Sequence, residues 1–284
     1  MYAIASYAIW GVLPIYWKFL KPVEATEVLA HRILWSFAFV AVFLGLGKLW
    51  PQVWDLLRDR RRFWLTVFAA VMISINWGLY IWSIQTNHIL DSSLGYYINP
   101  LVAVLLGVIL FKERLSRGQL LAITAAAIGV LILVLEYGRF PWLSFSLAVT
   151  FGLYGALKKL VQVPSLVGLA VETAVLLPFS LAWIGVRQLR GTGALGHSTL
   201  LVTLLLLGAG AITAIPLLLF AEGARRIPLS TLGITQYISP TLMFILGIFV
   251  YQEPFRLAQG ISFGLIWLAL IIYTLSQRKV YPDT

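Results

Sequence analysis

Arg32 and Glu172 are ionisable side chains inside long apolar runs, opposite in charge and 140 residues apart. An ionised group at membrane depth is costly unless it faces a cavity or a partner. The two residues therefore read as a direct ion pair, or as two grips on opposite ends of one polar or zwitterionic solute. Arg32 is long enough to snorkel to an interface instead, whereas Glu172 is not. His31, next to Arg32, and Glu172 are the protonatable groups best placed at this depth to bind and release a coupling proton.

A neutral polar set lies at similar depth: Asn76, Asn99, Gln236 and Ser239. Interhelical hydrogen bonding would account for any one of them. Asn99 and Ser239, however, immediately precede Pro100 and Pro240. A proline inside a helix withholds one N–H and displaces the carbonyl four residues back. In lipid such a freed carbonyl is tolerated mainly in a bundle or beside a wet cavity. Aromatic residues supply walls for a flat or amphipathic solute, and the substrate-binding set drawn from all these groups is Trp10, His31, Arg32, Trp35, Asn76, Trp77, Tyr80, Tyr96, Asn99, Glu172, Gln236 and Tyr237. Pro100 and Pro240 are read as helix breaks, and Glu113 and Glu253 as helix-end carboxylates with a structural role.

The elements that carry these residues repeat. The Tyr-Ile-x-Pro of 97–100 recurs at 237–240, and each proline is followed thirteen residues later by a glutamate, Glu113 or Glu253. Ala30 and Ala170 keep the same offset, while the upstream Leu-Gly pairs (Leu94-Gly95, Leu232-Gly233) match after a two-residue slip. Ten apolar runs can be marked, at 2–18, 25–47, 63–85, 91–111, 117–136, 141–157, 165–186, 199–221, 228–251 and 257–276. Five per repeat is an odd number, so the second copy enters the membrane upside down, an arrangement typical of secondary transporters. The fold expected is all-α integral membrane, with ten transmembrane helices as two inverted five-helix repeats, residues 1–140 and 141–284.

Composition agrees: the 284 residues are 60% hydrophobic and 11% charged, with a mean hydropathy of +0.90. Such a chain is a polytopic membrane protein. The net charge of +10 does not point to nucleic acid, because the basic residues cluster between apolar runs. With the N-terminus inside, fourteen Lys and Arg fall on the cytoplasmic side and six outside, which puts both termini in the cytoplasm of a cell (plasma) membrane protein. The run RDRRR at 58–62 reads as a topology signal. There is no cysteine, and no HExxH, GxSxG, Walker loop or GxGxxG. Three scattered histidines lack metal-ligand spacing. No catalytic residue, metal or cofactor is called for.

The segments YAIWGVLPIYWK (7–18), HRILWS (31–36), NWGLYIWS (76–83), SLGYYINPL (93–101), ETAVLLP (172–178) and STLGITQYISPTLMF (230–244) resemble the EamA family of the drug/metabolite transporter superfamily, and within it the RarD-type branch. The resemblance covers nearly the whole chain. It implies ten helices in two inverted repeats and a cavity between them for a small organic molecule, without naming the cargo. Glu222 lies outside the pattern. The function expected is a secondary transporter, an exporter of a small amphipathic metabolite or drug working by alternating access. A non-transporting membrane sensor or scaffold and an intramembrane enzyme are the alternatives. The partners expected are the solute, the lipid bilayer and a coupling proton, with no nucleic acid, and the chain is expected to act as a monomer.

Overall fold

The structure is a computed structural model that describes residues 1–85, 89–249 and 257–280. Among these residues the chain forms twelve helices: α1 (Tyr2–Lys18), α2 (Ala25–Leu46), α3 (Trp50–Arg58), α4 (Arg60–Gln85), α5 (Ile89–Phe111), α6 (Arg117–Tyr137), α7 (Trp142–Val161), α8 (Ser165–Leu189), α9 (Leu200–Arg226), α10 (Leu229–Thr235), α11 (Ile238–Phe249) and α12 (Leu257–Val280). Eight spans are long and apolar enough to cross a membrane, counting α10 with α11 as one. The remaining two of the ten expected spans are α1, only 17 residues long, and α7, which ends on Lys158 and Lys159. Helix α3 had not been expected. It starts with a proline in its first turn, buries Val53 and Leu56, and exposes Trp50 and Trp54, as a short helix lying along a membrane surface does.

Helix ends follow local chemistry. Ser116 and Gln119 form a reciprocal capping box that starts α6, and Gly138 closes it with φ +75°, a conformation glycine adopts without a Cβ clash. The prolines behave differently in the two copies. A break was expected at each, yet α5 runs continuously through Pro100. Losing one hydrogen bond bends a helix without ending it when the flanking turns are intact. In the second copy the break falls at Gln236–Tyr237, before Pro240. There the N–H of Ser239 donates to the Gln236 carbonyl at 3.0 Å, the group that Pro240 cannot serve.

Helix packing is mostly between the halves of the chain. Helix α2 packs on α8 and α9, α4 on α7 and α8, α1 on α9 and α11, α5 on α7 and α10, and α6 on α12. Exchanging α1 with α7, α2 with α8, α4 with α9, α5 with α10–α11 and α6 with α12 maps this set of pairings onto itself. Small residues allow the closest crossings. A Cβ on Gly210 would lie 2.2 Å from the Trp35 carbonyl carbon, so α2 and α9 touch backbone to backbone. One on Gly233 would lie 2.7 Å from the Pro100 carbonyl oxygen, where α10 crosses α5. In a bilayer, such contacts and interhelical hydrogen bonds replace the hydrophobic effect as the source of association. The bonds include Ser6 Oγ to the Pro216 carbonyl at 2.8 Å and Ser262 Oγ to the Gly129 carbonyl at 2.8 Å.

Candidate functional site

A cavity of about 930 Å³ lies between the halves, walled by α1, α2, α4, α5, α7, α9 and the α10–α11 junction. It reaches the end of the bundle where α1 turns into α2, since exposed Lys18, Lys21 and Glu24 form part of its lining. No residue of the connections at the opposite end, 112–116, 162–164 or 227–228, contributes to it.

Arg32 projects into this space from α2. Its guanidinium lies 4.8 Å from the Trp17 ring centre and 5.0 Å from that of Trp77, so two indoles flank it. The ε N–H donates to Thr213 Oγ1 at 3.1 Å. Tyr80 and Tyr96 line the cavity beside it, their rings 6.2 Å apart and edge-to-face. Asn76 is committed, donating to the Leu147 carbonyl at 2.8 Å and to Thr150 Oγ1 at 3.0 Å. Asn99 is not: it is 3% exposed, lines the cavity, and its Oδ1 has no hydrogen-bond partner.

Three layers separate the cavity from the opposite end. The first is aromatic: Phe220 contacts Tyr7, Trp10, Phe151 and Tyr154 at ring-centre distances of 5.3–6.1 Å. Ser239 anchors this layer by donating to the Tyr7 carbonyl at 2.6 Å. In the second layer Lys158 donates to Glu172 Oε1 at 2.5 Å and the Tyr154 hydroxyl donates to Oε2 at 3.1 Å, all three residues buried. In the third, Glu113 accepts the N–H groups of Leu229 and Ser230 at 2.6 and 2.9 Å and the Ser230 hydroxyl at 2.7 Å. Lys159 lies 3.3 Å from the same carboxylate and also donates to the Ile227 carbonyl at 2.7 Å. Partial burial alone would raise the Glu113 pKa. The Ser230 and Leu229 donors and the Lys159 ammonium outweigh it and hold the carboxyl below its ordinary range. The helix-end role expected of Glu113 thus takes the form of a clamp on the start of α10, whereas Glu253 lies outside the described residues.

The sequence-derived set divides. Trp10, Arg32, Asn76, Trp77, Tyr80, Tyr96, Asn99 and Gln236 line the cavity. His31, Trp35, Glu172 and Tyr237 do not. His31 is fully buried, accepts from Trp35 Nε1 at 3.2 Å through Nδ1, and presents Nε2 to Glu27 at 3.9 Å. Tyr237 donates to the Tyr97 carbonyl at 3.2 Å across the pseudo-symmetric centre, 140 residues away. Arg32 and Glu172 do not pair with each other, because each has its own partners at a different level of the bundle. Pro100 and Pro240 lie beside the lining rather than in it. Glu222, left unassigned, accepts from Ser165, Arg225 and Arg226 at the helix end.

Sequence reasoning missed Trp17, Thr213, Phe151, Phe220 and Lys158. For Lys158 a signal existed, since it stands 140 residues after Lys18. A phenylalanine or threonine in an apolar run carries no comparable mark.

Comparison with known proteins places this architecture. The model of the EamA-like transporter family matches residues 1–135. The uncharacterized transporter YojE of Bacillus subtilis is 44% identical over 283 residues, covering 98% of this chain and 94% of its own. Protein RarD of Streptomyces exfoliatus is 43% identical over 279 residues, covering 96% and 87%. A crystal structure 18% identical in sequence superposes with a TM-score of 0.73 over 98% of this chain and 97% of its own, a likeness of fold. The polar groups lining the cavity therefore sit on a known membrane-transporter scaffold, and the chain belongs to the EamA-like transporter family, in its RarD-type branch.

Proposed function

We propose that the protein is a secondary transporter that moves a small amphipathic solute by alternating access, the solute binding between two inverted repeats, residues 1–140 and 141–284. One observation carries this reading. A cavity of about 930 Å³, large enough for a metabolite or drug-sized molecule, reaches one end of the bundle and is closed to the other by three layers of contacts. A scaffold has no need of such a space, and a one-sided cavity under a pseudo-twofold is what a transporter needs in one of its two states.

The distribution of Lys and Arg assigns the closed end, with Lys112, Arg114, Lys158 and Lys159, to the cytoplasm. On that assignment both termini are cytoplasmic and the state described is outward-open, in the cell membrane. Trp10, Arg32, Asn76, Trp77, Tyr80, Tyr96, Asn99 and Gln236 form the binding surface. His31 with Glu27, and Glu172 with Lys158, are the buried titratable groups available to couple a proton. The solute enters the cavity when the cytoplasmic layers part and the α1–α2 end closes, and it leaves the cell when the α1–α2 end reopens.

The test is flux. Purified protein in sealed proteoliposomes is offered labelled aromatic carboxylates, aromatic amino acids and amphenicols. Protein-dependent movement of at least one solute is expected. A solute that binds the protein but never crosses the bilayer would instead identify a sensor.

A further inference from the structure

We infer that the cavity is built for a monoanionic carboxylate with an aromatic body and one neutral hydrogen-bond donor; this rests on the reading of the cavity as a solute site. The first observation is charge. Arg32 spends one N–H on Thr213, and a guanidinium carries five. Among the described residues it has no carboxylate partner. The side chains next to it are the indoles of Trp17 and Trp77, which stabilise a cation but do not neutralise it. Lys21 adds positive charge at the cavity mouth. Among the described residues, the one acidic residue in the lining, Glu24, is bonded by Arg187. A cavity lined this way draws anions in and repels cations.

The second observation is the unpartnered Asn99 Oδ1, almost fully buried and on the cavity wall. A buried carbonyl without a donor costs free energy that a ligand N–H or O–H would recover. An ammonium is a poorer match than a neutral donor, because among the described residues no uncommitted carboxylate in the lining would balance it. The third is shape. Trp10, Trp77, Tyr80 and Tyr96 offer ring faces and edges around the same space, matching a flat apolar body. Planar, bidentate capture of a carboxylate is what a guanidinium does better than an ammonium. The ligand predicted thus places its carboxylate on Arg32, its ring among the tyrosines and tryptophans, and its donor on Asn99.

A series sharing one phenyl body isolates each element: N-acetyl-L-phenylalanine (anion with an N–H), 3-phenylpropionate (anion without it), N-acetyl-L-phenylalanine methyl ester (neutral) and phenethylamine (cation). Affinities are read by calorimetry on the purified full chain. N-acetyl-L-phenylalanine is expected to bind at least about tenfold tighter than its ester and tighter still than the amine, the scale of a charge-assisted bidentate contact. Arg32→Gln should equalise acid and ester, and Arg32→Lys should restore part of the difference. Asn99→Leu should remove the preference for N-acetyl-L-phenylalanine over 3-phenylpropionate while leaving the acid–ester gap. Tighter binding of the ester or amine, or an acid preference that survives Arg32→Gln, overturns the inference while leaving a working solute site. If none of the four binds and none of the solutes in the flux panel moves, the transporter reading fails with it.

Discussion

Lys18 and Arg32 at the α1–α2 end stand 140 residues before Lys158 and Glu172 at the α7–α8 end, so the two pairs are related by the repeat. One difference of side chain separates them. Glu172 draws Lys158 into a buried contact at 2.5 Å and, with Tyr154, seals its end. Arg32 carries the same sign as Lys18, so these two cannot pair, and both line an accessible cavity. The two ends of one architecture thus differ in side-chain chemistry: an ion pair is buried at one, and Arg32 lines a cavity at the other.

The comparison breaks most visibly at Glu172. Glu172→Gln strands a buried Lys158 ammonium, and a loss of about 3–5 kcal/mol is expected, read as a lower melting temperature in detergent. Combining Lys158→Met with Glu172→Leu should recover most of that loss, because an apolar pair replaces two charges. An unchanged melting temperature in Glu172→Gln would mean the pair seals nothing.

A smaller effect is expected one layer further out. Glu113→Gln keeps an acceptor for α10 but loses the charge that three donors and Lys159 converge on, a change of about 1–3 kcal/mol. A cysteine replacing Ile227, in a chain with no other cysteine, should then react faster with a maleimide. The same carboxylate gives a pH dependence. Its folded pKa lies below the ordinary 4.5, so its contribution is complete above that value and is lost as pH falls through the depressed folded value. Divided by the reactivity of the same cysteine in the unfolded chain at each pH, which removes the falling thiolate fraction, reactivity at Ile227→Cys should accordingly rise only in acid, and Glu113→Gln should flatten the profile.

Arg32 should show the least effect on stability. Arg32→Gln loses two contacts with indole faces, each worth about 0.5–1 kcal/mol, and relieves a cation without a carboxylate. The melting temperature should therefore move far less than in Glu172→Gln, although solute binding suffers more. A collapse as large as that of Glu172→Gln would show that Arg32 is structural and would remove the contrast between the ends.

Much of this was legible in the chain. Ten apolar runs and an offset of 140 led to the helical membrane fold because spanning a bilayer demands long apolar helices. Eight of the twelve residues expected to bind substrate line the cavity, since a polar or aromatic group in an apolar run stands out. The partners were not legible. Glu172 looked like a mate for Arg32 because the repeat makes them equivalent, yet equivalent sites in an inverted repeat lie on opposite sides of the midplane, and Lys158 on the next helix was nearer. The proline at 100 looked like a break and is not one, because breaking depends on what the neighbouring turns and carbonyls can bond, which sequence does not reveal. The aromatic layer around Phe220 is packing, and in an apolar run packing residues look alike.

The central claim is that the two ends open in alternation, and locking one end tests it most directly. Cysteines replacing Glu113 and Ser230, whose side chains meet at 2.7 Å, can be joined by a short bifunctional thiol reagent, with solute flux through proteoliposomes measured before linking, after linking and after reduction. Alternating access predicts that linking stops flux, that a cysteine replacing Leu29 in the cavity stays reactive from the α1–α2 side throughout, and that reduction restores transport. Flux that continues with the α7–α8 end locked shut would contradict it.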